Sequence, residues 1–407
     1  SEYAITITKA ADVPREGWIA AGSPDELHDA FTKNGVQGKV YLTEDITTIY
    51  EEVTENGKKI IKADYGWAIP VGSDFTLDLN GHTLTYGGEG SARKRLFYVR
   101  GVLTIMDSSS EGKGAITQEE ETIDGLICVA GGTLNLEGGT ITAGEGHSNN
   151  HGVLVGTDGI ENGKYVDSNP IGGTFNMKGG CIAGNGNANS DGGGIYVYKG
   201  TLNVSGGSIQ GNTANNGGGI YGCPDALIFV TGGSIQGNKS EKPEPKYKDD
   251  PAGYNAGSGG GGIFSRGKLV MSGGEICGNT ANADGGGVYQ DIDMNVYWNR
   301  DNYSFSMEGG TISQNIAGGE GGGIYFGWDG KVAGGSILNN EAHTEFDWGG
   351  GGIFIQTGVS VKMENVLVSG NHAEGFGGGV AGCPSGNVKI FTVNGAAIYG
   401  NEAAGTG

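Results

Sequence analysis

Apolar and polar residues alternate along this chain in short bursts that keep restarting. In "TLNVSG" (from Thr201), "LIFVTG" (from Leu227) and "KLVMSG" (from Lys268) every second residue is apolar, the period of a strand with one buried face. Each burst follows a glycine run that opens a shorter apolar phrase, "GGGIYV", "GGGVYQ" or "GGGIYF", and precedes a third phrase of the type "GSIQGN". The pattern predicts three strands per unit, separated by Gly and Asn corners. A unit this small cannot bury an apolar face alone, so successive units must stack.

Glycine runs begin at Gly192, Gly217, Gly260, Gly285, Gly321, Gly350 and Gly377. In the third phrase an apolar residue stands three positions before an Asn, in Ile182/Asn185, Ile209/Asn212, Ile235/Asn238, Ile276/Asn279, Ile312/Asn315, Ile337/Asn340, Val368/Asn371 and Ile398/Asn401. A fixed offset kept through every copy predicts two columns. One is an interior stack of aliphatics; in the other, each Asn takes the left-handed backbone of a corner and its amide bonds to the Asn of the next unit. That is the signature of an all-β parallel β-helix. Weaker copies begin near "FTLDLNGHTLTYGG", and the total is about eleven coils, a rod of roughly 50 Å at ~4.8 Å per strand.

The N-terminal end reads as a cap: "SPDELHDAF" has Ser23 as N-cap, Pro24 in the first turn, Glu26 completing a capping box, and an apolar face of Leu27, Ala30 and Phe31. The strand phrase "KVYLTEDIT" follows. The expected organisation is a cap region over 1–60, helix plus strand, and a parallel β-helix over 61–407. "AAIYGNEAAGTG" stops part-way through a repeat, so the natural chain is expected to continue or this edge to be covered by something else.

Composition narrows the partners. The 85 glycines lack collagen's every-third spacing and alternate with apolar runs, so the chain is folded. A formal charge of −21 disfavours nucleic acid and anionic membrane surfaces. No apolar run is long enough to insert in a membrane, and the first residues lack the plan of a signal peptide. Cys128, Cys181, Cys223, Cys277 and Cys383 form no CxxC pair and read as small fillers, the "GCP" at Cys223 and Cys383 leaving a reactive thiol as the lesser reading. The six His, among them His343 and His372, have no ligand spacing, and no glycine run has the order of a phosphate cradle. No metal site or cofactor is implied; a structural calcium ion stays open, although Asp precedes the glycine runs too irregularly for calcium-binding nonapeptides.

Function in a solenoid is usually carried by insertions. The extra length falls near 239–258, 290–304 and 341–349, in neighbouring units, and brings Tyr247, Tyr254, Tyr297, Trp298, Tyr303, Phe346 and Trp348, with Trp328 between. Aromatics and carboxylates on clustered loops predict a walled groove for sugar rings. If the Ile of "GGGIY" points inward, Tyr196, Tyr221, Phe264, Tyr289, Tyr325 and Phe354 form an exposed outward column. Two positions on, Asp291 is expected beside Arg266 and Gln356, with Asp293 on the same face at ~7 Å. Before the glycine run, Asp284 and Glu320 occupy successive coils and are expected to approach to ~5 Å, the separation of a retaining glycosidase. The bland alternative is that an acidic chain sets carboxylates side by side on its surface by composition alone.

"DLNGHTLT" followed by serial "GGxIxGNxAxxGGGIY" units resembles the right-handed parallel β-helix regions of large gut-bacterial surface proteins over roughly residues 70 to 401, and more loosely the Gly-Gly-Ala-Ile repeats of polymorphic outer-membrane adhesins. This implies a right-handed winding and an extracellular or cell-surface location. "DGGGVYQD", with Asp284 and Asp291 seven residues apart, is similar to the aspartate pair of the lacto-N-biosidases of glycoside hydrolase family 136, which release lacto-N-biose from milk and mucin-type glycans. That resemblance implies one Asp as nucleophile and the other as acid/base. Seven extended residues span ~23 Å, so the two can cooperate only where the glycine corner folds the chain back.

Three readings follow. The first is a glycoside hydrolase acting on an oligosaccharide, with Asp291 as nucleophile, Asp284 or Glu320 as proton donor and acceptor, and Tyr289, Arg266, Asp293, Trp298, Tyr325, Trp328, Trp348 and Gln356 lining the groove. The second is a non-catalytic adhesin or stalk segment that binds surface glycans. The third is a pectate-type polysaccharide lyase, for which Arg266 near Asp291 fits but the basic residues that would hold an anionic polymer are scarce.

Overall fold

A computed structural model describes residues 15–405 apart from 34, 49–50, 56–57, 64–66, 88–94, 120–124, 159, 162–163, 166–169, 242–258, 292–304, 345–347, 384–388 and 394. Among the described residues there is one helix, and every other regular element is a strand, most of them in long stacked parallel sheets, the arrangement of an all-β parallel solenoid. In a representative repeat, Ile263–Ser265, Lys268–Met271 and Glu275–Cys277 pair in parallel with Val288–Gln290, Phe305–Met307 and Thr311–Ser313 of the next. These are the three expected strands. A fourth, Thr280–Ala281, pairs with Ile316–Ala317 and belongs to a separate sheet that runs through the C-terminal half. Two residues are too few to produce a readable alternation, so the sequence pattern missed it.

The period-two rule holds inside. Ile195, Ile220, Ile263, Val288, Ile324 and Ile353 form one fully buried column, and Ile182, Ile209, Ile235, Ile276, Ile312, Ile337 and Val368 another, each side chain contributing about 1.5–3 kcal/mol by burial. The asparagine ladder is continuous. Asn238 Nδ2 donates to Asn279 Oδ1, Asn279 Nδ2 to Asn315 Oδ1 and Asn315 Nδ2 to Asn340 Oδ1, each at 2.9 Å, and the same oxygens accept the backbone N–H of the preceding Asn. The expectation that these Asn carry the left-handed backbone is corrected. Positive φ falls one residue earlier, on Gly211, Gly237, Gly278, Gln314, Asn339 and Gly370, which leaves each ladder Asn free to turn its amide along the stack.

Helix α1 (Pro24–Thr32) starts as expected: Ser23 is the N-cap and accepts from Glu26 N–H, while Glu26 Oε2 accepts from Gly22 N–H at 2.8 Å. Its buried Leu27, Ala30 and Phe31 close one end of the core, Phe31 meeting Phe75 edge-on with centroids 5.2 Å apart. Gln37–Leu42 pairs in parallel with Asp74–Asp78, so the cap is stitched into the main sheet. Two antiparallel hairpins, Glu51–Glu55 with Lys58–Ala63 and Ile160–Glu161 with Lys164–Tyr165, leave the stack at points the sequence did not mark. At the far end Ile398 and Tyr399 are exposed.

Candidate active site

The corner before each glycine run builds the site. Gly260 N–H donates to Asp284 O, Gly285 N–H to Glu320 O and Gly321 N–H to Gly349 O, so Gly259, Asp284, Glu320 and Gly349 form one column. Gly285 has φ 65°, and a Cβ placed on it would stand 2.8 Å from Tyr289 Cβ. The chain therefore doubles back within five residues, which brings Tyr289 to the corner next to Asp284.

Asp284 and Glu320 are each 6% exposed. They meet on successive coils, as expected from their place before the glycine runs. Glu320 N–H donates to Asp284 Oδ1 at 2.8 Å, and the two carboxyl groups are themselves hydrogen-bonded. Burial pushes the Asp284 carboxyl above the usual carboxylate range, and its side-chain and backbone bonds with Glu320 oppose the shift. Burial, followed by the charges of Asp291, Asp284 and Glu320, holds the Tyr289 phenol well above its ordinary value, with the hydrogen bond to Tyr325 opposing.

Asp291 lies one strand-length away, half-buried, with Oδ2 3.2 Å from Arg266 Nε on the preceding coil; Arg266 also covers the Phe264 ring at 5.4 Å. Gln356 is not beside Asp291. Gly327 is the immediate neighbour on the other side, its N–H bonded to Gln290 O, and Gln356 stands a further coil on, its amide oxygen accepting from Thr357 N–H. Trp328 follows Gly327 and is half-buried. Asp293 and Trp298 lie outside the described residues, as do Tyr247, Tyr254, Tyr297, Tyr303 and Phe346.

The column of Tyr196, Tyr221, Phe264, Tyr289, Tyr325 and Phe354 points away from the core as expected but is not exposed. Its rings stack face to face, with centroids 4.9 Å apart for Tyr221/Phe264 and 4.5 Å for Tyr289/Tyr325, and Tyr289 and Tyr325 are 6% and 5% exposed. Like side chains repeated at the strand spacing cover one another's faces. Trp348 packs against this stack beside Gly349. Cys223 donates to Tyr196 Oη at 3.1 Å, and burial pushes its thiol up to about 11, which keeps it in the unreactive form.

No family model, curated protein or solved structure matches the chain. The chemistry is therefore carried by the geometry. Among the described residues no group of three His, Cys, Asp or Glu is arranged to hold a metal ion, and no helix is long and apolar enough to cross a membrane.

Described residues that flank two of the insertions stand in the acid column. The first returns at Gly259 and the third at Trp348 and Gly349, on the coils flanking Asp284 and Glu320, while the second leaves directly after Asp291. Two contributors escaped the sequence reading. Gln290 is fully buried inside the coil, its amide donating to Asp291 O at 3.1 Å; a long polar residue in an interior column between Ser265 and Phe326 was the available signal. A Cβ on Gly319 would stand 2.2 Å from Asp284 Oδ1, so the second glycine of "GGEGGG" makes room for the carboxyl.

Proposed function

We propose that this protein is an extracellular, glycan-active right-handed parallel β-helix, and that it hydrolyses an oligosaccharide with retention of configuration. The observation that carries the reading is a division of labour between two carboxyls around one phenol. Asp284 is desolvated, which favours its neutral form, whereas Asp291 is half-open to solvent and faces Arg266. One acid buried and the other open to solvent beside a guanidinium is the contrast expected of a proton donor and a nucleophile.

In the double displacement, the Asp284 proton passes to the glycosidic oxygen as that bond to the anomeric carbon breaks, and the Asp291 carboxylate forms a covalent ester at the same carbon. Water then attacks the same anomeric carbon, giving a proton to Asp284 as the bond from that carbon to the Asp291 oxygen breaks and the carboxylate is released. Aromatic walls would come from Trp348, which packs on the ring stack, and from Trp328, one residue past the Gly327 that neighbours Asp291. A lacto-N-biose-type glycan, the substrate implied by the "DGGGVYQD" resemblance, is the first to try.

Asp291→Asn is expected to abolish release of sugar from an aryl lacto-N-bioside and from milk and mucin oligosaccharides. Its unfolding free energy should change by less than about 1 kcal/mol, because the lost pair is half-exposed. Asp284→Asn should keep a fraction of turnover on the aryl substrate, whose leaving group needs no proton, and lose it on oligosaccharides. Full activity of Asp291→Asn would remove the proposal. The burial of the aromatic stack favours a second reading, a stalk that binds surface glycans without cleaving them; binding on a glycan array with no turnover by the unaltered protein would select it.

A further inference from the structure

The short fourth strands of the last coils carry charged and titratable side chains that the mechanism above does not use. We propose that His343, held between Glu341 two residues before it and Glu374 of the following coil, is a proton-operated clasp: as an imidazolium it ties the two coils together, and as a neutral ring it releases one of the two carboxylates. This goes beyond the glycoside-hydrolase reading and does not depend on it.

Ala342 and Ala373 are buried partners on adjacent coils, so alternation sends Glu341 and His343 outward from one coil and His372 and Glu374 outward from the next. Coils stand ~4.8 Å apart, and the His343 ring bridges that gap: Nδ1 lies 2.9 Å from Glu374 Oε1 and Nε2 lies 3.2 Å from Glu341 Oε2. Ionised carboxylate oxygens only accept hydrogen bonds, and a neutral imidazole has a single N–H to give. Both contacts are therefore hydrogen bonds only when both ring nitrogens carry protons. The surroundings add no competing cation on the preceding coil, which offers Ile316 as the partner of Glu341 and Gly318 in the row of His343. On the following coil His372 is the register partner of Glu341 and also of Glu402, so it faces the Glu341 row from the other side. The hydrogen bond to Glu374 holds the His343 imidazole above its ordinary 6.5; partial burial opposes this, and the charges of Glu374 and Glu341 add to the rise. Because the paired strands here are two residues long, they offer few backbone bonds of their own, and a side-chain tie between coils counts.

The test is a pH titration of the unaltered protein, Glu374→Gln and His343→Gln, followed by proton–nitrogen correlation NMR of nitrogen-labelled histidine rings, the His343 signals being assigned by their loss in His343→Gln. At about pH 6 both His343 ring nitrogens should be protonated. The titration midpoint should lie above 6.5 and move down in Glu374→Gln, which keeps the side-chain shape but removes the charge. Hydrogen exchange reads the clasp itself. Because the His343 imidazole is raised in the fold, its contribution is fully present below 6.5 and is lost as pH rises through the folded value. The amides of His343 and Glu374 donate to Ala317 O and Ala342 O. After correction for intrinsic rates, their protection should fall by about two- to fivefold across that rise, the range of a solvent-exposed ion pair, and should stay level in His343→Gln. A His343 ring with one proton at about pH 6, or a midpoint at or below 6.5, would overturn the inference. So would an unmoved midpoint in Glu374→Gln, or an equal loss of protection in the unaltered protein and His343→Gln.

Discussion

Asn279 illustrates how much one side chain does in a stack. Its Oδ1 accepts two bonds from Asn238, and its Nδ2 donates to Asn315 Oδ1 and to Ile235 O. All of these groups are buried, and orphaning a buried polar group costs about 1–3 kcal/mol. Asn279→Ala should therefore destabilise the protein by about 3 kcal/mol or more, measured by denaturant unfolding, far beyond the effect of a surface Asn. The ladder could be read from one fixed offset in the sequence. The positive φ one residue earlier could not, because glycine fills that position in most repeats and glycine is common everywhere in this chain; Gln314 and Asn339 are what reveal it. At the site, Asp284, Asp291, Glu320 and Arg266 were legible as members of columns, since column membership follows from repeat arithmetic. Whether two members of a column touch was not.

Elements here are too short to be stable singly, so each prediction about one concerns what it covers. Helix α1 closes the core through Phe31, whose ring meets Phe75 and Phe97 edge-on. Phe31→Ala should cost about 3–5 kcal/mol and lower Tm, with the first coils losing amide protection from hydrogen exchange before the rest. The outward aromatics show the opposite lesson. Alternation along the "GGGIY" strand correctly directs Tyr289 away from the core, but alternation speaks only of direction. Exposure depends on what the neighbouring coils carry at the same register, and they carry Phe264 and Tyr325.

Across the whole molecule the charge of −21 is spread over a stack in which every coil contacts only its neighbours. Self-repulsion of that size should weaken the fold at low ionic strength. Raising salt from about 0.01 M, where screening reaches ~30 Å, to about 0.15 M, where it reaches ~8 Å, should raise Tm, equally for sodium and potassium chloride. A calcium-specific rise beyond that of magnesium would instead point to a bound structural ion.

Repetition is a property of the chain, and so the sequence alone determined the parallel stack, the inward aliphatic columns, the asparagine ladder and the cap: each depends on offsets of a few residues that recur. The three-dimensional structure decided what happens between residues far apart in the chain. It brought the flanks of two insertions to one corner, closed Asp284 onto Glu320, set Gly327 where Gln356 was expected, and turned an open aromatic face into a sealed stack. These outcomes depend on side-chain contacts between adjacent coils and on the fold-back at Gly285, and a single strand's pattern carries no information about either.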